Sequence, residues 1–217
     1  MNAFIIGCTG RIGKDLVNLI ASDSRYSTVN LITRRKIEFS SDISQDKFKV
    51  FIIDDFFKLD EIKSAIQGCT VGFCSLGSTA MQKGKEEFYR TDYTLTIKIA
   101  ETALISGVKS FHYVSSSGSN PHSKIYYLKT KGQVEEELRK INFDRLFIYR
   151  PAQLIATDWK DQRFTEKSLI ILSWPLRKLS NSLAIDTRLV ARAMLDFEIS
   201  HSEPKFIKVF ENSDMIS

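Results

Sequence analysis

The chain opens with an apolar run, a turn that contains three glycines, and a segment whose apolar residues recur at helical spacing. The run covers residues 3–6, the glycines are Gly7, Gly10 and Gly13, and the helical pattern covers residues 14–21. In such a strand-to-helix turn, the first glycine permits the tight turn, the second lets a pyrophosphate approach the backbone, and the third lets helix and strand pack closely. The amide groups and the positive dipole end of the helix then face the anion. The pattern predicts a nucleotide site, and the alternative is a plain turn without a ligand.

Length and composition indicate one domain. The 217 residues, of which 43% are hydrophobic, can bury one substantial core. We therefore expect a single domain over residues 1–217, in which about 151–217 contribute a small substrate and C-terminal region. No apolar run approaches the roughly 18 residues that a membrane span needs, and no secretory signal precedes the first apolar run. A soluble, intracellular protein is expected.

The charge and the cysteines limit the classes of ligand. A net charge of +5 favours anionic ligands, but the basic residues are scattered, so we do not expect nucleic acid as a partner. Cys8, Cys69 and Cys74 are odd in number and lack metal-ligand spacing with the three histidines. We expect them to be small buried apolar residues in a reducing compartment, and we expect no metal site.

Strand-like apolar runs alternate with helical patterns along the chain, which is typical of repeated strand, helix, strand units. Strands are predicted at residues 3–6, 29–33, 48–53, 71–76, 110–115 and 146–149. The clearest helices are predicted at residues 58–67, 89–106 and 129–140. The sequence therefore predicts an α/β fold with a doubly wound parallel sheet, which binds ligands outside the carboxyl ends of its strands.

Basic residues follow the second predicted strand, where cofactor choice is decided. NAD enzymes place an acidic side chain there to hold the ribose 2'-hydroxyl, whereas this chain has Thr33, Arg34, Arg35 and Lys36. Because an arginine can pair bidentately with a 2'-phosphate that an acidic residue would repel, NADP(H) is the expected cofactor. Arg11 in the glycine turn could reach the same phosphate. The alternative is a solvated basic turn.

The third and fourth predicted strands are followed by residues that suit the same cofactor. Asp55 can accept a hydrogen bond from the adenine amino group, or it can cap the next helix. In GFCSLGST, Gly77 lets the backbone approach a ligand and Leu76 offers an apolar wall, which suits the adenosine or the nicotinamide ribose. A simple turn is the alternative there.

Tyr127 and Lys131 lie four residues apart in a helical pattern that follows the serines of VSSSGS. This spacing places both on one helix face, so the ammonium can stabilise the phenolate. Tyr127 could then exchange a proton with a carbonyl or alcohol oxygen, while a serine hydroxyl holds that oxygen and Lys131 also binds ribose hydroxyls. The cofactor would carry the hydride. The alternative is two surface residues.

Three segments, GCTGRIG, VSSS and YLKTK, are similar in order and spacing to the short-chain dehydrogenase/reductase superfamily. More narrowly, the chain resembles the HIV Tat-interacting protein family of atypical short-chain dehydrogenases/reductases, which includes fungal mitochondrial members. The likeness covers residues 1 to about 163, through LITRRKIEF, VGFCSLGST, the YRTDY helix, VSSSGS, YLKTKGQVEEEL and FDRLFIYRPAQLI, with a weaker likeness in VARAML.

This resemblance implies an NADP(H)-binding Rossmann fold. It implies that the cofactor is held by Thr9, Gly10, Arg11, Ile12, Arg34, Arg35, Leu76, Gly77, Tyr127, Lys131, Leu154 and Arg163. Two departures stand out. The helix at residues 92–106 contains no Asn, although an asparagine completes the catalytic tetrad in many superfamily members. The segment between the serines and Tyr127 is short, which leaves open whether Ser116 or Ser117 faces the substrate oxygen.

Two functions of different class fit these features. The first is an NADPH-dependent reductase of a small carbonyl compound, which Tyr127 and Lys131 favour, with Ser116 as the serine. The second is a cofactor-bound regulatory protein that binds a protein partner according to the nicotinamide state, which the missing Asn and the family resemblance favour. We expect a cytoplasmic location, and the alternative is the mitochondrial surface through peripheral membrane association.

Overall fold

The computed structural model describes residues 1–39, 43–78, 84–155, 184–200 and 205–216. These residues contain nine β-strands: β1 (Asn2–Ile6), β2 (Thr28–Thr33), β3 (Phe48–Ile52), β4 (Val71–Cys74), β5 (Ser110–Val114), β6 (Arg145–Arg150), β7 (Gln153–Ile155), β8 (Ala184–Asp186) and β9 (Phe206–Glu211).

The described residues also contain six α-helices: α1 (Arg11–Ala21), α2 (Leu59–Ile66), α3 (Lys85–Tyr89), α4 (Thr96–Ile105), α5 (Tyr126–Lys140) and α6 (Thr187–Ser200). A π-helical segment, Arg90–Leu95, joins α3 to α4 without a break. A short 3-10 helix, Asn212–Met215, follows β9.

Seven of these strands form one sheet in the order β3-β2-β1-β4-β5-β6-β9, and every pair in it is parallel. The second sheet pairs β7 with β8. In the large sheet, the direction of strand succession reverses between β1 and β4. In doubly wound folds a crevice opens outside the carboxyl ends of the strands at this point, and ligands bind there.

Helices cover both faces of the large sheet, which explains why its central strands are apolar on both sides. Ala3 and Ile5 of β1 belong to a core shared with α1 and α6, whereas Phe4 and Ile6 belong to a core shared with α2, α4 and α5. Successive side chains of a strand point to opposite faces, so the four buried residues of β1 contribute to both cores. The predicted doubly wound parallel sheet is confirmed.

The structure contains each of the six predicted strands and three predicted helices, with bounds that differ by a few residues. The clearest differences are in the helices: the pattern at residues 89–106 includes the π-helical segment, and α5 begins at Tyr126. Strand β9 and helix α6 were not predicted, although β9 extends the sheet beside β6. The three cysteines are buried and free, as expected.

A buried polar network fastens α6 to the sheet. Glu198 accepts hydrogen bonds from Ser110 Oγ, from His112 Nε2 at 3.0 Å and from Arg145 Nη2 at 2.7 Å. Burial lowers the pKa of His112 even though Glu198 opposes that shift. The neutral ring can therefore donate from Nε2 to Glu198 and accept at Nδ1 from the Tyr149 hydroxyl, 2.9 Å away.

Candidate active site

The glycine turn lies between β1 and α1, as the sequence predicts. Gly7 has a φ of +89°, and a side chain there would meet the backbone of the next loop, with Cβ only 2.7 Å from the Ser75 carbonyl carbon. A Cβ on Gly13 would lie 2.8 Å from Cys8 Cα and even closer to the Gly7 carbonyl oxygen. Gly7 and Gly13 are thus required by close backbone packing.

The middle glycine differs from the other two because it is exposed and its backbone is ordinary. Gly10 has φ −75° and ψ 173°, and the described neighbours leave open space around its Cβ position except for the Gly7 oxygen at 3.2 Å. Helix α1 begins directly after it, with no acidic residue in the first turn. Thr9 is exposed, Arg11 is half-buried and Ile12 is buried. The start of α1 therefore offers an accessible, electropositive backbone surface.

The residues after β2 present two exposed arginines. The Thr33 hydroxyl donates to the Arg35 carbonyl at 2.9 Å and accepts from the Arg35 amide at 3.2 Å, which closes the turn. The Arg34 guanidinium carbon lies 5.7 Å from the centre of the Phe56 ring, a cation-π contact that joins the end of β2 to the loop after β3. In the same loop, exposed Asp55 accepts a hydrogen bond from the Phe57 amide at 2.9 Å.

The loop after β4 touches both the glycine turn and helix α5. Ser75 donates from its amide to the Ile6 carbonyl at 3.0 Å, and from Oγ to the Gly7 carbonyl at 3.2 Å. Two residues further on, a Cβ on exposed Gly77 would lie 3.8 Å from Lys131 Nζ. Leu76 between them is half-buried. This loop therefore extends in a line from the first glycine to the neighbourhood of Lys131.

Lys131 is almost completely buried, and protein acceptors surround its ammonium. Nζ lies 3.1 Å from the Tyr113 hydroxyl, 3.2 Å from Asp92 Oδ1 and 3.5 Å from the Val114 carbonyl. Burial opposes the charge, but Tyr113, Asp92 and Tyr127 outweigh it and raise the pKa of Lys131 well above its usual value. The ammonium is therefore a fixed positive charge beneath Gly77.

Tyr127 lies one helical turn before Lys131 and is half-buried. Its ring packs on buried Phe88 of α3, with 5.5 Å between ring centres. The neighbouring Tyr126 is tethered differently, because its hydroxyl donates to the Lys85 carbonyl at 3.1 Å. Tyr127 interacts electrostatically with the Lys131 ammonium.

The three serines after β5 are in different environments. Ser115 is buried and donates to Glu135 Oε1 at 2.6 Å, which occupies its hydroxyl inside the protein. Glu135 is itself paired with Arg150 through two hydrogen bonds, at 3.0 and 2.6 Å. Ser116 is half-buried and Ser117 is exposed. The structure thus leaves Ser116 and Ser117 as the two candidates for contact with a substrate.

Two further predicted residues lie apart from this line. Leu154 is a half-buried residue of β7 that packs against the core shared by α1 and α6. Arg163 lies outside the described residues. The structure therefore brings together Gly7, Leu76, Gly77, Lys131 and Tyr127, while Arg34 and Asp55 lie at the ends of β2 and β3.

Three residues beside Lys131 were not singled out from the sequence. Asp92 and Tyr113 contact its ammonium, and Ser78 donates from its amide and its hydroxyl to Asp92, at 3.0 and 2.7 Å. Asp92 is an acidic residue between the apolar Phe88 and Leu95 in one helical stretch. A charge among core positions is a signal for a buried ion pair, because burial of an unpaired charge is costly.

Comparison with known proteins identifies the family of this chain. The model of a family described as NAD(P)H-binding matches residues 7–196. Protein HTATIP2 of Rattus norvegicus is 36% identical over 207 residues, covering 92% of this chain and 81% of that protein. The chain belongs to the NAD(P)H-binding HTATIP2 family.

Other relatives and a solved structure extend this result. The mitochondrial protein FMP52 of Debaryomyces hansenii is 34% identical over 164 residues, which is 75% of this chain and 70% of that protein. Among solved structures, MoeE5 in complex with UDP-glucuronic acid and NAD has a TM-score of 0.75 at 15% identity, covering 96% of this chain and 76% of that one. That likeness shows the NAD(P)-binding Rossmann fold for this member of the HTATIP2 family. Across the parts of the chain that the structure describes, no helix combines the length and apolarity needed to cross a membrane.

Proposed function

We propose that this protein is an NADP(H)-dependent oxidoreductase that reduces a small carbonyl compound. The observation that carries the proposal is the loop after β4, in which Ser75 Oγ donates to the Gly7 carbonyl and Gly77 lies near Lys131, with Tyr127 one helical turn before that lysine. This loop connects the predicted pyrophosphate site to the residue types that transfer a proton in short-chain dehydrogenases/reductases.

The residues present fit a dinucleotide. Exposed Gly10 leaves the backbone at the start of α1 open to a pyrophosphate, and the first turn of α1 has no carboxylate to repel it. Gly77, after β4, is also exposed, and a Cβ there would lie 3.8 Å from Lys131 Nζ. When bound there, the nicotinamide supplies the hydride.

The preference for NADP(H) over NAD(H) rests on Arg34 and Arg35. Both are exposed at the end of β2, where a ribose 2'-phosphate would lie, and no described residue forms an ion pair with either. The Arg34 guanidinium lies over the Phe56 ring, and this cation-π contact takes up none of its N–H groups, which stay available for a phosphate. In this proposal Asp55 contacts the adenine with the carboxylate oxygen that does not accept the Phe57 amide.

Tyr127 is proposed to donate the proton to the substrate oxygen, and Ser116 to donate a hydrogen bond that holds this oxygen. Lys131 contributes its fixed charge, which makes the anionic form of Tyr127 less unfavourable after the proton has left. Its three protein contacts limit a second role: a ribose hydroxyl would have to replace the Val114 carbonyl, the longest of them at 3.5 Å. Proton transfer by such a group contributes about 10² to 10⁴-fold to the rate.

A second function is favoured by a different observation. Residues 92–106 contain no asparagine to complete the catalytic tetrad that many short-chain dehydrogenases/reductases have. The protein would then be a nicotinamide-sensing regulator that binds a protein partner, a role that the name of HTATIP2 suggests. For either function we propose a cytoplasmic location, with the mitochondrial surface as the alternative that the FMP52 relative suggests.

Two adjacent tyrosines provide the test. Tyr127→Phe removes one hydroxyl and keeps the ring on Phe88, so NADPH affinity should stay near wild type while turnover falls by about 10² to 10⁴-fold. Tyr126→Phe is the matched control, because its hydroxyl is already bound to the Lys85 carbonyl, and turnover should change little. The measurement is NADPH oxidation over a panel of aldehydes, ketones and quinones, beside calorimetric cofactor titration.

The outcomes separate the two functions. A wild type that binds NADPH but reduces nothing on the panel would support the regulator. Full turnover by the Tyr127→Phe variant would refute Tyr127 as the proton donor.

A further inference from the structure

Two opposite charges are buried together below the loop that follows β4. Asp92 and Lys131 are 1% and 2% exposed, and Asp92 Oδ1 lies 3.2 Å from Lys131 Nζ. Asp92 belongs to the π-helical segment and Lys131 to α5. Each charge would be costly to bury alone, so removal of one leaves the other uncompensated.

The same carboxylate also fixes the backbone of this loop. Ser78 donates its amide to Asp92 Oδ2 at 3.0 Å and its hydroxyl to the same oxygen at 2.7 Å. A Cβ on the preceding Gly77 would lie 3.8 Å from Asp92 Oδ1 and 3.8 Å from Lys131 Nζ. One side chain thus joins Lys131 to the loop that separates the buried charges from the proposed cofactor site.

The backbone around Asp92 is unusual. The π-helical form occupies Arg90–Leu95 within an otherwise α-helical stretch. Its wider turn shifts the register of the side chains between α3 and α4, and Asp92 points inward toward α5. Such segments are rare and often lie at functional sites.

We propose that Asp92 is a positioning residue for cofactor binding: its carboxylate holds the Lys131 ammonium and the Gly77–Ser78 backbone in the arrangement that accepts the nicotinamide side of NADP(H). This inference rests on the proposed function. Asp92 acts through Lys131 and Ser78, and Gly77 separates it from the cofactor.

The titratable groups that face Lys131 determine how its pKa responds when the Asp92 charge is removed. The groups are Asp92 from the π-helical segment, Tyr113 from β5, Tyr127 from α5 and Cys74 from β4. Burial raises the pKa of Tyr113 above its usual range and that of Cys74 to about 11, so both are neutral near neutral pH. Asp92 is therefore the carboxylate that compensates the ammonium.

Asp92→Asn is the informative substitution, because an amide oxygen can still accept from Ser78 but carries no charge. Because Tyr113 and Cys74 are neutral near neutral pH, no charge of theirs replaces the carboxylate, and we expect burial to shift the pKa of Lys131 downward, below its value of about 10.4 in an unfolded chain. Lys131 then loses its proton as pH rises within the accessible range. In wild type its raised pKa keeps it protonated throughout.

The first measurement is calorimetric NADPH titration between about pH 6.5 and pH 9.5, a range that lies below the free lysine pKa. Wild-type affinity should be nearly level across it. Affinity of the Asp92→Asn variant should fall by about tenfold or more toward high pH, as the cation beside the cofactor is lost. The matched control is Asp60→Asn at an exposed position in the first turn of α2, which should follow wild type.

The second measurement is urea unfolding without cofactor over the same range. For a lysine whose pKa is lower in the folded state than in the unfolded chain, the unfolded state binds more protons, so stability rises with pH. The Asp92→Asn variant should show this rise relative to wild type. The double variant Asp92→Asn with Lys131→Met buries no lone charge, so it should lose the rise without recovering NADPH affinity.

If Asp92→Asn does not fold, a variant of Ser78, which donates to the Asp92 carboxylate, tests the same proposal. Ser78→Ala removes one hydrogen bond and leaves the ion pair, so NADPH affinity should fall about three- to tenfold with no new pH dependence. Wild-type affinity in Ser78→Ala, or a wild-type pH profile in folded Asp92→Asn, would overturn the proposal. If wild type bound neither NADPH nor NADH, the proposed function itself would fail.

Discussion

Two glycines of the turn should separate fold stability from cofactor binding when each is replaced by alanine. At Gly10 the φ of −75° suits alanine, and the methyl group would approach only the Gly7 oxygen, at 3.2 Å. Alanine at a compatible position stabilises by about 0.4–1 kcal/mol through the unfolded chain, and the tight contact removes part of this gain. The free energy of unfolding should therefore change by less than about 1 kcal/mol.

Gly13→Ala should behave oppositely in the stability measurement. Its methyl group would overlap the Gly7 oxygen and lie 2.8 Å from Cys8 Cα, both of them backbone atoms that cannot rotate away. Overpacking of this kind costs about 1–3 kcal/mol or more, which exceeds the ~1 kcal/mol gain in helix propensity from glycine to alanine. A net loss of stability is therefore expected, together with distortion of the turn.

The cofactor measurement distinguishes the two roles. In Gly10→Ala the methyl group enters the space proposed for the pyrophosphate, so NADPH affinity should fall at least about tenfold, or ~1.4 kcal/mol. Urea unfolding without cofactor and calorimetric NADPH titration on each variant are the assays. A Gly10→Ala variant that binds NADPH as wild type does would refute the placement of the pyrophosphate at this turn.

Two further substitutions test the cofactor preference and the buried network. Arg34→Ala and Arg35→Ala should each weaken NADPH binding about ten- to a hundredfold and NADH binding far less, because only NADPH carries the 2'-phosphate. Equal losses of affinity for the two cofactors would show that these arginines do not bind the 2'-phosphate and are ordinary solvated surface residues. Burial lowers the pKa of His112 in the folded protein, so below about pH 6.5 this histidine is protonated in the unfolded chain before it is protonated in the folded one. The free energy of unfolding should therefore fall by up to about 1.4 kcal/mol for each pH unit below that value. His112→Gln should flatten this fall in urea unfolding at several pH values, and an unchanged slope would contradict the assignment.

The parts of the fold that sequence could predict are those set by local patterns. Alternation of apolar runs with helical spacing gives the parallel sheet, and the glycine positions give the turn between β1 and α1, because backbone sterics require glycine at Gly7 and Gly13. Strand β9 has no comparable signal. Its side chains are mostly exposed or half-buried at the edge of the sheet, so its sequence, FIKVFE, lacks the continuous apolar run of a central parallel strand.

In the candidate site, too, the sequence could predict residues that are close along the chain but not those whose partners are distant. Tyr127 and Lys131 were predicted because they lie four residues apart on one helix. Asp92 was not, because its partner is 39 residues away in sequence and because a charged residue in a helical pattern is usually solvated. Its position four residues after Phe88 and three before Leu95 places it among core positions, but this spacing does not reveal that Lys131 compensates its charge. Likewise, residue spacing does not reveal that Glu135 occupies the Ser115 hydroxyl, because the two residues are 20 apart in sequence.

The compensated charge of Lys131 bears on the choice between enzyme and regulator. A ligand shifts a conformational equilibrium only if it binds the two states with different affinities. A sensor of nicotinamide redox state must therefore bind the oxidised cofactor, whose nicotinamide ring is cationic, and the reduced cofactor, whose ring is neutral, with different affinities. A lone ammonium beside the ring would repel the cation and so provide that distinction. The Asp92–Lys131 pair is neutral as a whole, and its field weakens faster with distance than that of a single charge. Such a pair favours binding of the oxidised and the reduced cofactor with similar affinity. An oxidoreductase needs similar affinities in order to exchange its cofactor, whereas a redox sensor needs different ones. For this reason we place the reductase ahead of the regulator.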